Sequence, residues 1–181
     1  MDAIENILTR RSTRKFKDKE IPREALEKII ECAKASPTGM NKQQRLFTVL
    51  TKEKDIQKLA KAIGESLNLE NYRIYDAKAL IIVTVPKDLR LGDADTSTAM
   101  ENMYLASHAL GIGAVWINQL RENNSEKVRD VLREFSIPDD HISFGMCALG
   151  YSDEMICTLF TGQPVRRVLL CDIVMNLKKN A

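Results

Sequence analysis

Residues 79–85 read Ala79-Leu80-Ile81-Ile82-Val83-Thr84-Val85, apolar and β-branched almost throughout. Side chains that are stiff at χ1 suit a pleated surface. A run with no polar face has nowhere to meet water, so it predicts a strand buried on both sides, central in its sheet. Upstream, Ile56, Leu59, Ala60 and Ile63 fall on one side of a helix, and Leu46 to Thr51 (LFTVLT) reads as a second strand. Pro22 opens an earlier helix with Leu26, Ile29, Ile30 and Ala33 on one face, closed by the turn-forming Ser36-Pro37-Thr38-Gly39. Ala3, Ile4, Ile7 and Leu8 predict a short first helix.

Downstream, residues 94–110 form the longest helical pattern. Ala99, Met103, Ala106 and Leu110 make one stripe, with Met100, Tyr104 and Ser107 beside it. Apolar and small residues over so wide an arc imply burial on more than one side, in the middle of a domain or at a subunit interface. Strand-like Ala114-Val115-Trp116-Ile117 follows, then a helix over 125–135 with Val128, Val131, Leu132 and Phe135 inward. A further strand spans Ile142 to Leu149 (ISFGMCAL), closed by Gly150-Tyr151. The apolar run Val168 to Leu177 must pack on something, its own domain or a partner's. Alternating helices and strands suggest a doubly wound parallel sheet by default. No Gly-rich phosphate loop follows a strand, however. Gly111-Ile112-Gly113 follows a helix and lacks a third glycine in register, which excludes a dinucleotide fingerprint.

A chain of 181 residues with 44% hydrophobic and 29% charged side chains is globular and fits one domain with a real core. Its net charge of +2 is too mild to argue for nucleic acid. Asp2 and Glu5 stand where a secretory leader would be apolar, and no apolar stretch is long enough to span a bilayer, so a cytoplasmic protein is expected. Cys32, Cys147, Cys157 and Cys171 form no C-x-x-C pair. Cys32 and Cys147 read as buried thiols, and no metal site is expected. His108 and His141 read as structural.

The chemistry concentrates in Arg10-Arg11-Ser12-Thr13-Arg14-Lys15-Phe16. Such charge density resists burial without an anion, and the guanidinium fork matches phosphate or carboxylate. The stretch is either a solvated basic loop or a phosphate cradle. Arg166 and Arg167 form a second basic pair near the C-terminus.

Four stretches in order resemble the FMN-dependent nitroreductase family over nearly the whole chain. They are Arg10 to Phe16; Ala35-Ser36-Pro37-Thr38-Gly39-Met40-Asn41-Lys42-Gln43; Ala106 to Ile117; and Ala148-Leu149-Gly150-Tyr151. The resemblance implies an α+β fold: a three-layer α-β-α sandwich with a mixed, largely antiparallel sheet, in an intertwined homodimer. One domain, 1–181, would send a tail from about residue 161 onto the partner. It implies FMN, with NADH or NADPH as donor and a small nitroaromatic or quinone as acceptor, and no catalytic side chain. Arg10 and Ser12, with Arg11, would hold the FMN phosphate, joined by Arg166 or Arg167. Arg14 would reach the N1/O2 side of the ring. Pro37, Thr38, Gly39 and Asn41 would come from the other subunit to cover the flavin. Asn118 and Gln119 would lie near N5, where the family offers a backbone N–H, and Asn71 and Arg73 near the ring. One departure is plain: Gln44-Arg45 stand where the family has Pro and Trp.

Overall fold

The computed structural model describes residues 1–121, 123 and 125–153, and the strands 168–170 and 173–175. Helix α1 (Ala3–Thr9) starts where the Asp2 carboxylate accepts from the Glu5 N–H at 2.9 Å. Helix α2 (Arg23–Lys34) leads through a 3-10 turn at Gly39–Asn41 to β1 (Leu46–Leu50). Helix α3 (Glu53–Leu67) ends on Asn68, held in the left-handed region at φ 55°. Then come β2 (Ala79–Pro86), α4 (Gly92–Ala109), β3 (Gly113–Ile117), α5 (Glu126–Glu134) and β4 (His141–Gly150). The tail contributes β5 (Val168–Leu170) paired antiparallel with β6 (Ile173–Met175).

The four long strands lie in the order β1-β2-β4-β3, every neighbouring pair antiparallel. The ALIIVTV strand is interior, as its composition predicts, with Ile81 opposite Val49 on one side and Cys147 on the other. Among the described residues the one parallel pairing is the isolated bridge between Ser12 and Ala114.

Strand alternation sorts β2 onto two cores. Leu80 and Ile82 face one cluster with Ile56, Leu59 and Ile63 of α3 and Val128 and Leu132 of α5. Ala79, Ile81 and Val83 face the other, with Leu26 and Ile29 of α2 and Ala99, Met100 and Met103 of α4. Helices on both faces make the three-layer α-β-α sandwich, and the period-2 pleat is what allows one apolar strand to serve two cores.

The short first helix forms as expected, with Ile4, Ile7 and Leu8 67%, 52% and 58% exposed in the single chain. One sequence reading is corrected. Cys32 is only half-buried, whereas Cys147 is fully buried and burial pushes its thiol well above the usual range. Cys157 and Cys171 lie outside the described residues, as does most of the tail.

Candidate functional site

Arg10 closes α1 by donating its N–H to Asn6 O at 3.1 Å. Two side chains of α1 fasten it to α4. Asn6 Nδ2 donates to Leu105 O at 3.0 Å, and Thr9 Oγ1 sits 2.9 Å from His108 Nε2. Burial and the Arg10 charge hold the His108 pKa below its ordinary value, so the ring is neutral near pH 7.

Beyond Arg10 the chain runs along the free edge of β3. Thr13 N–H donates to Ala114 O at 3.0 Å, Lys17 N–H to Tyr151 O at 2.8 Å, and Asp153 N–H to Lys15 O at 3.0 Å. The anchoring depends on missing side chains. A Cβ at Gly113 would lie 2.7 Å from the Thr13 side chain, and one at Gly150 would lie 2.6 Å from the Phe16 ring. Only glycine lets the basic segment sit this close to the sheet.

Thr13 is thereby buried, Ser12 and Arg10 are half-buried, and Arg11 and Arg14 reach the surface. The Arg10 guanidinium lies 5.4 Å above the Tyr104 ring, whose centroid is 6.3 Å from that of Trp116. The Tyr104 hydroxyl is buried without a hydrogen-bond partner, and burial drives its pKa far up, so it stays a neutral phenol.

The second group of predicted residues, Pro37 to Asn41, lies near the opposite end of α4. Gly39 N–H donates to Asp95 Oδ1 at 2.8 Å and Thr98 Oγ1 donates to Pro37 O at 3.0 Å. Left-handed conformations at Met40, Asn41 and Gln43 (φ 54°, 55° and 52°) make the loop tightly folded. Asp95 is only 3% exposed, and its Oδ2 has no hydrogen-bond partner. Arg45 reaches into the same loop. Its Nη1 donates to Ser36 Oγ and, at 3.1 Å, to Asp95 O. Its Nη2 donates to Ser36 O at 3.0 Å and Gln43 Oε1 at 3.1 Å.

One chain does not bring these two groups together. The first is tied to α4 at Leu105 and His108, the second at Asp95 and Thr98. At ~1.5 Å per residue, the ten residues from Thr98 to His108 separate them by roughly 15 Å.

Asn118 and Gln119 follow the far end of β3, the end remote from Gly113 and the basic segment. Asn118 N–H donates to Gln119 Oε1 at 3.1 Å, and Arg121 N–H to Asn118 O at 2.9 Å. Asn71 is left-handed at φ 53° and lines a surface cleft of about 480 Å³ with Lys61, Glu65 and Tyr72. Arg73 is engaged at the surface with Asp76 at 2.6 Å, which raises its pKa. Arg166 and Arg167 lie outside the described residues.

Sequence reasoning missed Tyr104, Gln43, Arg45 and Asp95 as parts of these clusters. For Asp95 no signal stood out, because α4 carries two further acids, Asp93 and Glu101, and only the fold shows that Asp95 is the buried one of its first turn. For Tyr104 none existed, since an aromatic on an apolar stripe reads as core.

The chain matches the model of the Nitroreductase family over residues 7–73 and 65–151. It is 33% identical over 158 residues to a Methanothermobacter thermautotrophicus protein carrying the name NADH dehydrogenase/NAD(P)H nitroreductase, covering 85% of this chain and 79% of the relative. It is 28% identical to the NADPH-flavin oxidoreductase of Vibrio harveyi, covering 84% and 67%. A solved nitroreductase with bound FMN from Bacteroides fragilis superposes with a TM-score of 0.79 at 28% identity, covering 91% of this chain and 95% of that one.

Proposed function

The chain belongs to the nitroreductase family, and from that premise we propose that it is an FMN-dependent oxidoreductase that uses NADH or NADPH to reduce small nitroaromatic or quinone-type acceptors. The observation that carries this reading is the anchored basic segment. Hydrogen bonds at Thr13, Lys15 and Lys17 fix the backbone on which Arg10, Ser12 and Arg14 are mounted. Fixed donors around a dianion lose little on binding, because the ordering is already done by the fold. The donor set also fits the cofactor: guanidinium groups and a hydroxyl suit a phosphate, and a cation suits the N1/O2 side of a flavin.

In this reading Arg10 and Ser12, with Arg11 and the pair Arg166 and Arg167, hold the phosphate. Arg14 stabilises negative charge at N1/O2. Bound FMN would supply the redox chemistry, a ping-pong hydride transfer between NAD(P)H and the acceptor through N5. The chain's own work is positional. Asn118 and Gln119 would lie near N5, and Asn71 and Arg73 near the ring. For the Asn118 N–H to serve the flavin, Gln119 Oε1, which accepts from it at 3.1 Å in the single chain, would have to give way.

The site is completed by a second copy of the chain. Pro37, Thr38, Gly39 and Asn41 of the partner cover the flavin, which answers the roughly 15 Å that α4 puts between the two groups within one protomer. The homodimer buries α4 and the exposed Ile4, Ile7 and Leu8 of α1. Each tail, from about residue 161, extends onto the other subunit. A groove of about 1050 Å³ between α2 and the outer edge of β1, lined by Leu26, Ile30 and Val49 among others, is suited to an apolar strand. The whole chain then forms one FMN-binding domain. Among the described residues no helix is long and apolar enough to cross a membrane, and we assign a cytoplasmic location.

A narrower reductive task within the family, reduction of free flavin, is the second reading, favoured by the name of the Vibrio harveyi relative. The test is an absorption spectrum of the purified protein before and after anaerobic NADH or NADPH. Flavin bands that bleach support an oxidoreductase and identify the donor. Bands that neither donor bleaches support a flavin-binding protein without turnover. A colourless protein that takes up no added FMN refutes both.

A further inference from the structure

Arg45 and Gln43 form a chain of hydrogen bonds that ends on Asn41. Arg45 Nη2 donates to Gln43 Oε1 at 3.1 Å, and Gln43 Nε2 donates to Asn41 Oδ1 at 2.9 Å. We propose that Arg45 is a positioning residue that fixes the polarity of Asn41, so that Asn41 presents its Nδ2 protons to an acceptor atom of the flavin held by the partner subunit. The inference rests on the flavin reading above, and assigns a role to the residue that departs from the family's Pro-Trp pair.

The polarity follows from chemistry. A guanidinium has N–H donors and no acceptor, so only the oxygen of the Gln43 amide can face it. The Gln43 NH₂ is then turned toward Asn41 and can only donate, which draws the Asn41 oxygen toward it. Asn41 is left with donors on its outward side. One charged group therefore orders two amides in series, each of which alone could flip at little cost.

Arg45 itself is held from three sides. Ser36, 1% exposed, accepts through both its hydroxyl and its carbonyl, and Asp95 O accepts from Nη1. The backbone beneath is fixed too, since Gln43 N–H donates to Thr38 Oγ1 at 3.1 Å and Asn41 N–H to Thr38 O at 2.9 Å. The relay thus ends on a rigid loop.

The decisive variant is Gln43→Glu. A carboxylate accepts from Arg45 more strongly than an amide does, but it cannot donate to Asn41. Asn41 must then turn its Nδ2 inward and show its oxygen. The full-length Q43E chain is expected to melt at or above the wild-type temperature without flavin. It is expected to bind FMN about tenfold more weakly in a fluorescence titration at 0.5 M salt, where long-range charge is screened.

Asn41→Ala should weaken binding about tenfold in the wild type and less than twofold in the Q43E background, because the contact is already lost there. A Q43E chain that binds FMN like wild type, or an equal N41A cost in both backgrounds, overturns the proposal. Arg45→Met supplies a readout free of flavin, with faster amide exchange expected at Gly39 and Gln43. Unchanged exchange likewise overturns the proposal. If the flavin reading is what fails, wild type, Q43E and N41A all leave FMN fluorescence unquenched while R45M still speeds exchange. That pattern removes the ligand and with it the proposed role.

Discussion

Substituting Gly113→Ala would test whether the close seat of the basic segment on β3 organises the site. The added Cβ would lie 2.7 Å from Thr13 Cβ and Oγ1 and 2.8 Å from Thr13 Cγ2. Comfortable carbon contacts begin at about 3.5–4.0 Å, so one chain must retreat by roughly 1 Å. The obstacle is not a flexible tip, because Thr13 is tied through its own backbone to Ala114. Overpacking of this kind costs about 1–3 kcal/mol. For a chain of this length each kcal/mol lowers the melting temperature by about 2–4 °C, so a loss of roughly 2–12 °C is expected in a thermal melt. The same displacement moves Arg10, Ser12 and Arg14 off their alignment, and FMN affinity should fall with stability. Thr13→Gly removes the obstructing Cβ, so Gly113→Ala should cost much less in that background. An equal cost with and without Thr13, or a G113A chain with wild-type melting and FMN affinity, would refute the reasoning.

Tyr104→Phe keeps the ring beneath Arg10 and removes a buried hydroxyl that has no partner. Urea unfolding should show stability unchanged or raised by about 1 kcal/mol, whereas Tyr104→Ala should lose about 3–5 kcal/mol; a clear loss in the Phe variant would mean that the hydroxyl is used. Burial pushes the Tyr72 hydroxyl up to about 12. The folded chain keeps a proton that the unfolded chain, at about 10, gives up, so this stability is whole below about pH 10 and is lost as pH rises toward 12. Stability measured against pH should therefore fall less steeply over that window in Tyr72→Phe than in wild type, and parallel curves would contradict the assignment. Val49, 39% exposed on β1, lines the groove assigned to the partner's tail. Val49→Lys should shift the proposed dimer toward monomer in light scattering, and an assembly state equal to that of the wild type would count against tail docking in that groove.

Much of the fold was legible because it rests on local period. The ALIIVTV strand, the α2, α3 and α5 faces and the wide apolar arc of α4 follow from which residues recur at two or at 3.6. The basic segment was legible for a different reason: charge at that density is conspicuous whatever surrounds it. What covers the apolar side of α1 was not legible, because periodicity says that Ile4, Ile7 and Leu8 share a side and says nothing about what packs on it. Arg45 was legible only as a departure from a pattern. Its contacts with Ser36, Asp95 and Gln43 come from a folded loop and, for Asp95, from 50 residues away.

By itself, then, the amino-acid order determined the elements, the two-faced burial of β2 and the residues able to meet a phosphate. Each of these is a property of short segments and of side-chain chemistry. Tertiary structure alone decided the strand order β1-β2-β4-β3, the seating of Thr13 against Gly113, and the separation of Arg10 from Asn41 along α4. Those depend on contacts between distant segments, in which closing the intervening chain, excluding one Cβ and satisfying each buried donor must all succeed at once.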